Sequence, residues 1–302
     1  MRNLLFFLVL SLPCFGAEEF LKLGKSQGLT FHANHPLTEK NETIEAIVVV
    51  VHGILRNAKD YFDWTVESAE KEGAAGRTLI LAPHFKNEGD KAEVNELFWL
   101  EGDWKTGANA LTYPDTLSSF TVVDGALAEL PKYFPNLKRI TVTGHSAGGQ
   151  FTSRYSAGTQ MPERLPSFEW RFVIANPSSF LFLNEERPRP VVDCKGFNEY
   201  PYGLEKPNMY FSGVSAERAR ENVRSRDITI FQGENDTETE LLDQSCEAMA
   251  EGKNRFERGT LYFDYLVGFL NPKKLQRVVV PGVGHDGKLM YQSSEGQRLL
   301  FL

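Results

Sequence analysis

The segment Gly144–Gly149, with the sequence GHSAGG, constrains this chain most. It directly follows the apolar run Ile140–Thr143 and leads into the helical pattern Ser146–Gly158. A serine between two glycines at such a strand-to-helix turn has the pattern of a nucleophile elbow, in which the serine occupies a strained turn. Both flanking positions require glycine, because a side chain there would crowd the neighbouring backbone. We therefore predict that Ser146 is a nucleophile.

The rest of the chain alternates strand-like and helix-like segments. The β-branched run Ala46–Val51 is typical of a strand that is buried on both faces of a parallel sheet. Further strand-like runs are Thr78–Ala82, Arg139–Thr143, Phe172–Ala175, Ile228–Phe231 and Arg277–Val280. Helical patterns cover Lys59–Glu72, Asp115–Tyr133, Ser146–Gly158 and Gly259–Leu270. This alternation predicts one α/β domain over residues 18–302, with a mostly parallel central sheet flanked by helices.

Two further residues complete a catalytic pattern with Ser146. Asp236 and His285 each follow a strand-like run, and they come in the order Ser, Asp, His along the chain. A serine hydroxyl is a weak nucleophile, so it needs a base, and the base needs an acid that orients it. We predict a triad of these three residues, with Glu234 and Asp243 as the alternatives for the acid.

On these residues the chain resembles secreted members of the α/β-hydrolase superfamily, from about Ala46 to the C-terminus. The GHSAGG elbow resembles that of polyester depolymerases and related esterases. Asn176–Ser179 and Tyr200–Leu204 resemble segments of a bacterial group of hydrolases close to the poly(aspartic acid) hydrolases. The resemblance implies the α/β-hydrolase fold and the triad. It does not fix the substrate, because one fold hosts many chemistries.

An oxyanion formed during acyl transfer needs two backbone N–H donors. Ala147, the residue after the nucleophile, supplies one. The loop His52-Gly53-Ile54 follows the Ala46–Val51 run and resembles the oxyanion loop of lipases and esterases. We therefore expect Ile54 to supply the second donor, with Leu55 as the alternative, and His52 to shape the loop.

Ester hydrolysis is the predicted reaction, on a small-molecule or polymeric substrate. It makes the smallest demand on the leaving group, whereas an amide needs its amine protonated by His285. An amidase or peptidase acting on small peptides or poly(amino acids) is the alternative within enzymes. A non-catalytic binding protein on the same fold is the alternative of another class.

Residues 1–17 predict a secretory signal peptide. Met1–Asn3 is a short basic start, Leu4–Leu12 is an apolar run, and small residues lead to Ala17. The run is shorter than the roughly 20 residues that cross a bilayer, so we expect no stable membrane insertion. A lipid on Cys14 is an alternative. The predicted location is secreted or periplasmic.

Export leaves two cysteines, Cys194 and Cys246. An even number in an oxidising compartment predicts a disulfide between them, with two buried free thiols as the alternative. Cys194 lies in the proline-rich and aromatic-rich segment 176–210, which we predict to form a cap or wall over the site. Predicted substrate-binding aromatic residues in irregular segments are Trp99, Trp104 and Tyr202.

Charge and motifs argue against several other functions. The 33 basic and 40 acidic side chains give a net charge of −7, which offers no general attraction for nucleic acid. The G-x-G-x-x-G pattern at Gly282–Gly287 is followed by too little chain for a dinucleotide-binding unit, so no cofactor is expected. His32 and His35 lack neighbouring ligand residues, so no metal site is expected. The sequence sets no oligomeric state.

Overall fold

An eight-stranded sheet forms the centre of the protein. The computed structural model describes residues 16–25, 27–114 and 116–302. Its strands are β1 (Ala17–Lys22), β2 (Gly28–Ala33), β3 (Ala46–Val51), β4 (Thr78–Pro83), β5 (Lys86–Asn87), β6 (Phe98–Trp99), β7 (Arg139–His145), β8 (Glu169–Ala175), β9 (Asp227–Gly233) and β10 (Lys274–Val280). Its helices are α1 (Ala58–Lys71), α2 (Ser119–Glu129), α3 (Ala147–Gly158), α4 (Met161–Arg164), α5 (Ala216–Ser225), α6 (Cys246–Met249), α7 (Arg255–Phe269), α8 (Gly287–Gln292) and α9 (Ser294–Phe301).

The strand order in the sheet is β1-β2-β4-β3-β7-β8-β9-β10. From β4 to β10 every neighbouring pair is parallel, whereas β1, β2 and β4 pair antiparallel. The predicted mostly parallel sheet is thus confirmed. Short β5 and β6 form a separate parallel pair.

Helices cover both faces of the sheet. Strand β3 is apolar throughout because its side chains pack against helices on both sides. Val48 and Val50 belong to a buried cluster that includes residues of α1, α8 and α9. Val49 and Val51 belong to a second cluster with residues of α2, α3, α5 and α7. Successive side chains of a strand point to opposite faces, so a strand between two helical layers has no exposed face.

The helix predicted over Asp115–Tyr133 is shorter in the structure and covers Ser119–Glu129. Ser118 ends it on the N-terminal side, because its side chain accepts a hydrogen bond from the Phe120 N–H and caps the first turn. At the other end, Pro131 lies in a 3₁₀ turn, and its missing N–H does not support continuation of the α-helix. Periodicity alone does not detect either stop.

The predicted signal peptide falls on residues 1–17, and residues 1–15 lie outside the described part of the chain. Ala17 opens strand β1 and pairs with Ala33 of β2. Among the helices that the structure describes, none combines the length and the apolar character needed to cross a membrane.

Candidate active site

Three parallel strands bring the predicted triad residues to one edge of the sheet. Ser146 follows β7, Asp236 follows β9 and His285 follows β10, and the carboxyl ends of parallel strands share an edge. The Ser146 Oγ lies 3.0 Å from His285 Nε2. On the other side of the imidazole, His285 Nδ1 lies 2.7 Å from Asp236 Oδ2. Both distances are within hydrogen-bond range.

The turn that carries Ser146 is strained and tightly packed. Ser146 has φ 60° and ψ −118°, a backbone conformation that residues other than glycine rarely adopt. A Cβ added to Gly144 would lie 2.3 Å from the carbonyl oxygen of Gly148. One added to Gly148 would lie 2.1 Å from the carbonyl oxygen of Val51. The glycines let β7 and α3 approach closely enough to hold the serine at the strand end.

Asp236 is the most buried of the three side chains. Its carboxylate has no exposed area, whereas the His285 side chain is 23% exposed. Asp236 Oδ1 forms no hydrogen bond with any described residue, and it lies 3.7 Å from Nη1 of the equally buried Arg255. The acid is thus held between an imidazole and a guanidinium.

The alternative acids hydrogen-bond elsewhere. Glu234 accepts a hydrogen bond from the Gly282 N–H, and Asp243 accepts one from the Tyr202 hydroxyl. Within the described ranges of the chain, neither of them hydrogen-bonds to His285.

A second histidine, His145, lies directly behind the site. Its ring centre is 4.6 Å from that of His285, and its two nitrogens lie 3.0 Å from the Tyr61 hydroxyl and 3.3 Å from Asn176 Nδ2. Burial lowers the pKa of His145 well below its usual value, so it places no positive charge beside His285. Asn176 also accepts a hydrogen bond from the Gly233 N–H, which ties the ends of β8 and β9 together.

The loop after β3 lies beside the serine. A Cβ added to Gly53 would be 3.7 Å from Ser146 Cβ. His52 shapes this loop as predicted, with Nδ1 2.8 Å from the Gly53 carbonyl oxygen and Nε2 accepting from the Phe85 N–H. Burial lowers the pKa of His52 to about 3, so its ring is neutral. The N–H groups of Ile54 and Ala147 donate to no other described residue.

Ser146 lies between two cavities that differ in chemistry. The lysine cavity, of about 420 Å³, is lined by polar and charged side chains that include Lys105, Gln150, Tyr202 and Asp243, together with Ala147. The tryptophan cavity, of about 330 Å³, is lined by Trp64, Tyr61, Leu55, His285 and Lys288. Ile54, Ser146 and Leu241 line both cavities. A bound molecule can therefore extend from the serine in two directions.

Solved structures with this architecture allow a comparison. One is LpqC, a poly(3-hydroxybutyrate) depolymerase from Bordetella parapertussis, with 24% identity, coverage of 92% of this chain and 88% of that chain, and a TM-score of 0.68. Another is poly(aspartic acid) hydrolase-1 from Sphingomonas sp. KT-1, with 22% identity, 95% and 98% coverage and a TM-score of 0.69. The siderophore hydrolase EstB from Aspergillus nidulans follows with 14% identity, 97% coverage of both chains and a TM-score of 0.55.

The chain has the α/β-hydrolase fold. No protein-family model matches it, and no curated protein matches it significantly. At these identities the likeness concerns the fold, so the chemistry has to be argued from the site itself.

On this hydrolase fold, the predicted aromatic residues occupy different environments. Tyr202 lines the lysine cavity, whereas Trp99 and Trp104 are fully buried and line neither cavity. The prediction that these tryptophans contact substrate is corrected here. Trp104 packs in the core against Phe85, at 5.5 Å between ring centres, and Trp99 donates its indole N–H to the Ala108 carbonyl oxygen.

The segment 176–210 borders the lysine cavity and forms no helix or regular strand. Ser178 and Tyr202 lie on the cavity, while Phe180 packs against Tyr262 of α7 at 4.2 Å between ring centres. The structure contains the disulfide between Cys194 and Cys246, with 5.7 Å between the two Cα atoms. This bond joins the segment to the start of α6.

Several cavity residues are missing from the sequence prediction. Lys105 lies in a 3₁₀ turn (Asp103–Thr106) outside any motif, so no local pattern marks it. Trp64 stands three residues after Tyr61 on α1, a spacing that places both on one helix face, but nothing in the sequence shows that this face reaches the serine. Gln150 lies one helical turn after Ser146 in α3, and this spacing is a sequence signal that predicts a position near the serine.

Proposed function

We propose that this chain is a serine hydrolase that cleaves carboxylic esters through an acyl-enzyme, with Ser146 as nucleophile, His285 as base and Asp236 as the orienting acid. The observation that carries the proposal is the continuous chain of hydrogen bonds among these residues, at 3.0 Å and 2.7 Å. The fold supports it, since the two solved structures of similar size above are named as a depolymerase and a hydrolase.

In the first half of the reaction, the Ser146 oxygen attacks the carbonyl carbon while His285 Nε2 takes the hydroxyl proton. The carbonyl oxygen gains the electron pair of the C=O bond and becomes an oxyanion. In this proposal the N–H groups of Ile54 and Ala147, which donate to no other described residue, donate to that oxyanion. Asp236 holds the imidazole in the tautomer whose Nε2 accepts, and it stabilises the imidazolium that forms.

The intermediate then collapses and the bond to the leaving alcohol breaks. His285 gives its proton to the departing oxygen, which leaves the acyl group on Ser146. Water repeats the sequence: it attacks the acyl carbon, loses a proton to His285, and Ser146 departs with that proton. The net reaction is the addition of one water across the ester bond, with the protein unchanged.

We also propose that the protein acts outside the cytoplasm, as a secreted or periplasmic enzyme. The disulfide of Cys194 and Cys246 supports this location, because such bonds persist in oxidising compartments. The predicted signal peptide over residues 1–17 supports it independently. N-terminal sequencing of the exported protein tests the location, with a start near Ala17 or Glu18 as the expected result.

Covalent labelling tests the nucleophile. A fluorophosphonate probe should modify the folded protein at Ser146, and the label should be absent from Ser146→Ala. Ser225→Ala is a matched control, because Ser225 is exposed and precedes β9 at the opposite edge of the sheet. A folded protein that takes up no label would favour a non-catalytic binding role and overturn the proposal.

A matched substrate panel tests the reaction class. Esters and amides with the same acyl group should differ in kcat/KM, with the esters cleaved faster, and Ser146→Ala should lower ester turnover by about 10⁴-fold or more. Faster cleavage of the amides would replace the esterase assignment with an amidase or peptidase.

A further inference from the structure

The position of His285 indicates which cavity holds the leaving alcohol of the ester and which holds the acyl chain. This step rests on the proposed function. The leaving oxygen has to receive its proton from His285, so the leaving group must lie on the side where that imidazole is exposed. His285 lines the tryptophan cavity and does not line the lysine cavity. Ala147, a proposed oxyanion donor, lines only the lysine cavity. The alcohol therefore occupies the tryptophan cavity, and the acyl chain extends into the lysine cavity.

Lys105 follows a well-anchored residue at the acyl side. The preceding residue, Trp104, is fully buried, and its carbonyl oxygen accepts a hydrogen bond of 2.6 Å from Ser119 Oγ. The Lys105 side chain folds back over Gly102. A Cβ added to that glycine would lie 3.4 Å from Lys105 Nζ and 2.9 Å from Ile54 Cδ1. Lys105 and Ile54 line the same cavity as Ser146.

The Lys105 ammonium makes no hydrogen bond and no ion pair with any residue in the described ranges. Burial lowers the pKa of Lys105, and the positive charge of Arg154 lowers it further, while the carboxylates of Asp243, Asp103 and Glu101 act in the opposite direction. Arg154 is itself fully buried and donates to the Pro201 carbonyl oxygen and to Ser179 Oγ, with no carboxylate partner among the described residues. Neither of these two cations therefore has a carboxylate in contact with it among the described residues, although Asp243 acts on Lys105 across the cavity.

The one carboxylate that lines this cavity is already satisfied. Asp243 Oδ2 accepts a hydrogen bond of 2.7 Å from the Tyr202 hydroxyl, and Oδ1 accepts one of 3.0 Å from the Ser245 N–H. The cavity thus has a cation with no hydrogen-bond partner among the described residues and a carboxylate whose two oxygens already accept hydrogen bonds from the protein. A ligand anion fits this arrangement better than a ligand cation, because it would supply the partly buried Lys105 with the hydrogen-bond partner that it lacks.

We infer that the preferred substrates carry a carboxylate on the acyl chain, which Lys105 binds in the lysine cavity. Lys105 then determines specificity and takes no part in bond making. The substrate class is the half-ester of a short dicarboxylic acid, or a larger ester with a carboxylate at an equivalent position on its acyl side.

Matched phenyl esters test the inference. The series consists of half-esters of succinic, glutaric and adipic acid, with a neutral carboxamide analogue and an ammonium analogue of each chain length, and the uncatalysed rate is subtracted. In the wild-type protein, the best half-ester should exceed its carboxamide analogue in kcat/KM by about 10- to 100-fold, as expected for a charged hydrogen bond. The ammonium analogue should be the poorest of the three.

Variants assign the preference to Lys105. Lys105→Met should bring the carboxylate-to-carboxamide ratio close to one, and Lys105→Arg should retain most of it. Lys138→Met is the matched control: its side chain is 70% exposed and lies at the start of β7, at the other edge of the sheet, so the ratio should not change.

The outcomes separate this inference from the proposed function. Ser146-dependent ester cleavage with no carboxylate preference, or with a preference that Lys105→Met leaves intact, overturns the inference alone. An absence of both ester cleavage and labelling at Ser146 overturns the proposed function and the inference with it.

Discussion

Asp236 shows how much of the proposed chemistry depends on one buried carboxylate. Asp236→Asn keeps the shape of the side chain but offers His285 Nδ1 an amide in place of a carboxylate, which favours the wrong imidazole tautomer. We expect kcat for ester hydrolysis to fall by about 10⁴-fold, with little change in KM. Steady-state kinetics on one phenyl ester measure this.

Glu234→Gln is the control for that variant. Glu234 was the neighbouring alternative for the acid, and a glutamine can still accept the hydrogen bond from the Gly282 N–H. Its kcat should remain within a few-fold of the wild-type value. A large loss in Glu234→Gln together with a small one in Asp236→Asn would reassign the acid.

The sequence is informative about residues next to a motif and uninformative about residues that packing brings to it. Ser146 and Ala147 belong to a pattern whose local geometry is set by glycines. Trp104 and Lys105 are adjacent in one 3₁₀ turn, yet the first side chain is in the core and the second is on a cavity. Contacts with residues distant in sequence, such as Phe85, decide which of the two is buried.

At the scale of elements, the crossing of β3 and α3 is a close contact that depends on glycine. Gly148→Ala would place a Cβ 2.1 Å from the Val51 carbonyl oxygen, so β3 and α3 would have to separate. We expect a loss in free energy of unfolding of about 3 kcal/mol or more, the upper range for overpacking. Urea unfolding measures this.

Gly268→Ala gives the matched comparison for that variant. Gly268 lies near the end of α7, and an added Cβ there meets nothing within 4 Å. Alanine favours the helix more than glycine does, so the free energy of unfolding should rise by about 0.5–1 kcal/mol. If both substitutions changed the free energy of unfolding equally, the close crossing at Gly148 would not be the cause of the loss.

The disulfide joins the segment 176–210, which borders the lysine cavity, to the start of α6, three residues after Asp243 on the same cavity. Its residues are separated by 52 positions, and a cross-link of that length contributes about 4 kcal/mol in the chain-entropy model. Replacing both cysteines with serine should therefore lower the free energy of unfolding by about 2–5 kcal/mol. It should also raise KM more than it lowers kcat, because Tyr202 and Asp243 lie on the two sides of the link.

Thiol counting and kinetics check this prediction. The denatured, unreduced protein should show no free thiol from Cys194 or Cys246, and the double variant should refold with a measurable change in KM. Two free thiols in the purified, unreduced protein would contradict the disulfide.

The parallel part of the sheet could be read from the sequence, but its antiparallel edge could not. Strands β3 and β4 are buried along their full length, so their sequences are apolar runs. Strand β1 lies at the edge of the sheet and has no buried residue, so its sequence has no apolar run; Ala17, Glu18, Phe20 and Lys22 are exposed. A strand held by backbone pairing to one neighbour needs little apolar content.

The stability of the whole molecule should depend on pH through Glu251. This carboxyl is fully buried, Oε2 accepts a hydrogen bond from the Phe180 N–H, and Oε1 has no partner among the described residues. Burial raises the pKa of Glu251 to about 8, from an ordinary value of 4.5, while nearby Arg258 opposes the shift. The folded state therefore binds this proton more tightly than the unfolded state does.

The sign of the effect follows from that difference. The contribution of Glu251 to stability is complete below pH 4.5 and is lost as the pH rises through 8. Glu251→Gln keeps an acceptor for the Phe180 N–H and does not titrate. As the pH rises, the free energy of unfolding of the wild-type protein should therefore fall relative to that of the variant, by up to about 1.4 kcal/mol per pH unit.

Urea unfolding at pH 5, 6, 7 and 8 measures the difference, with the exposed Glu240→Gln as control. A constant difference between wild type and Glu251→Gln across this range would show that Glu251 is ionised throughout, held so by Arg258.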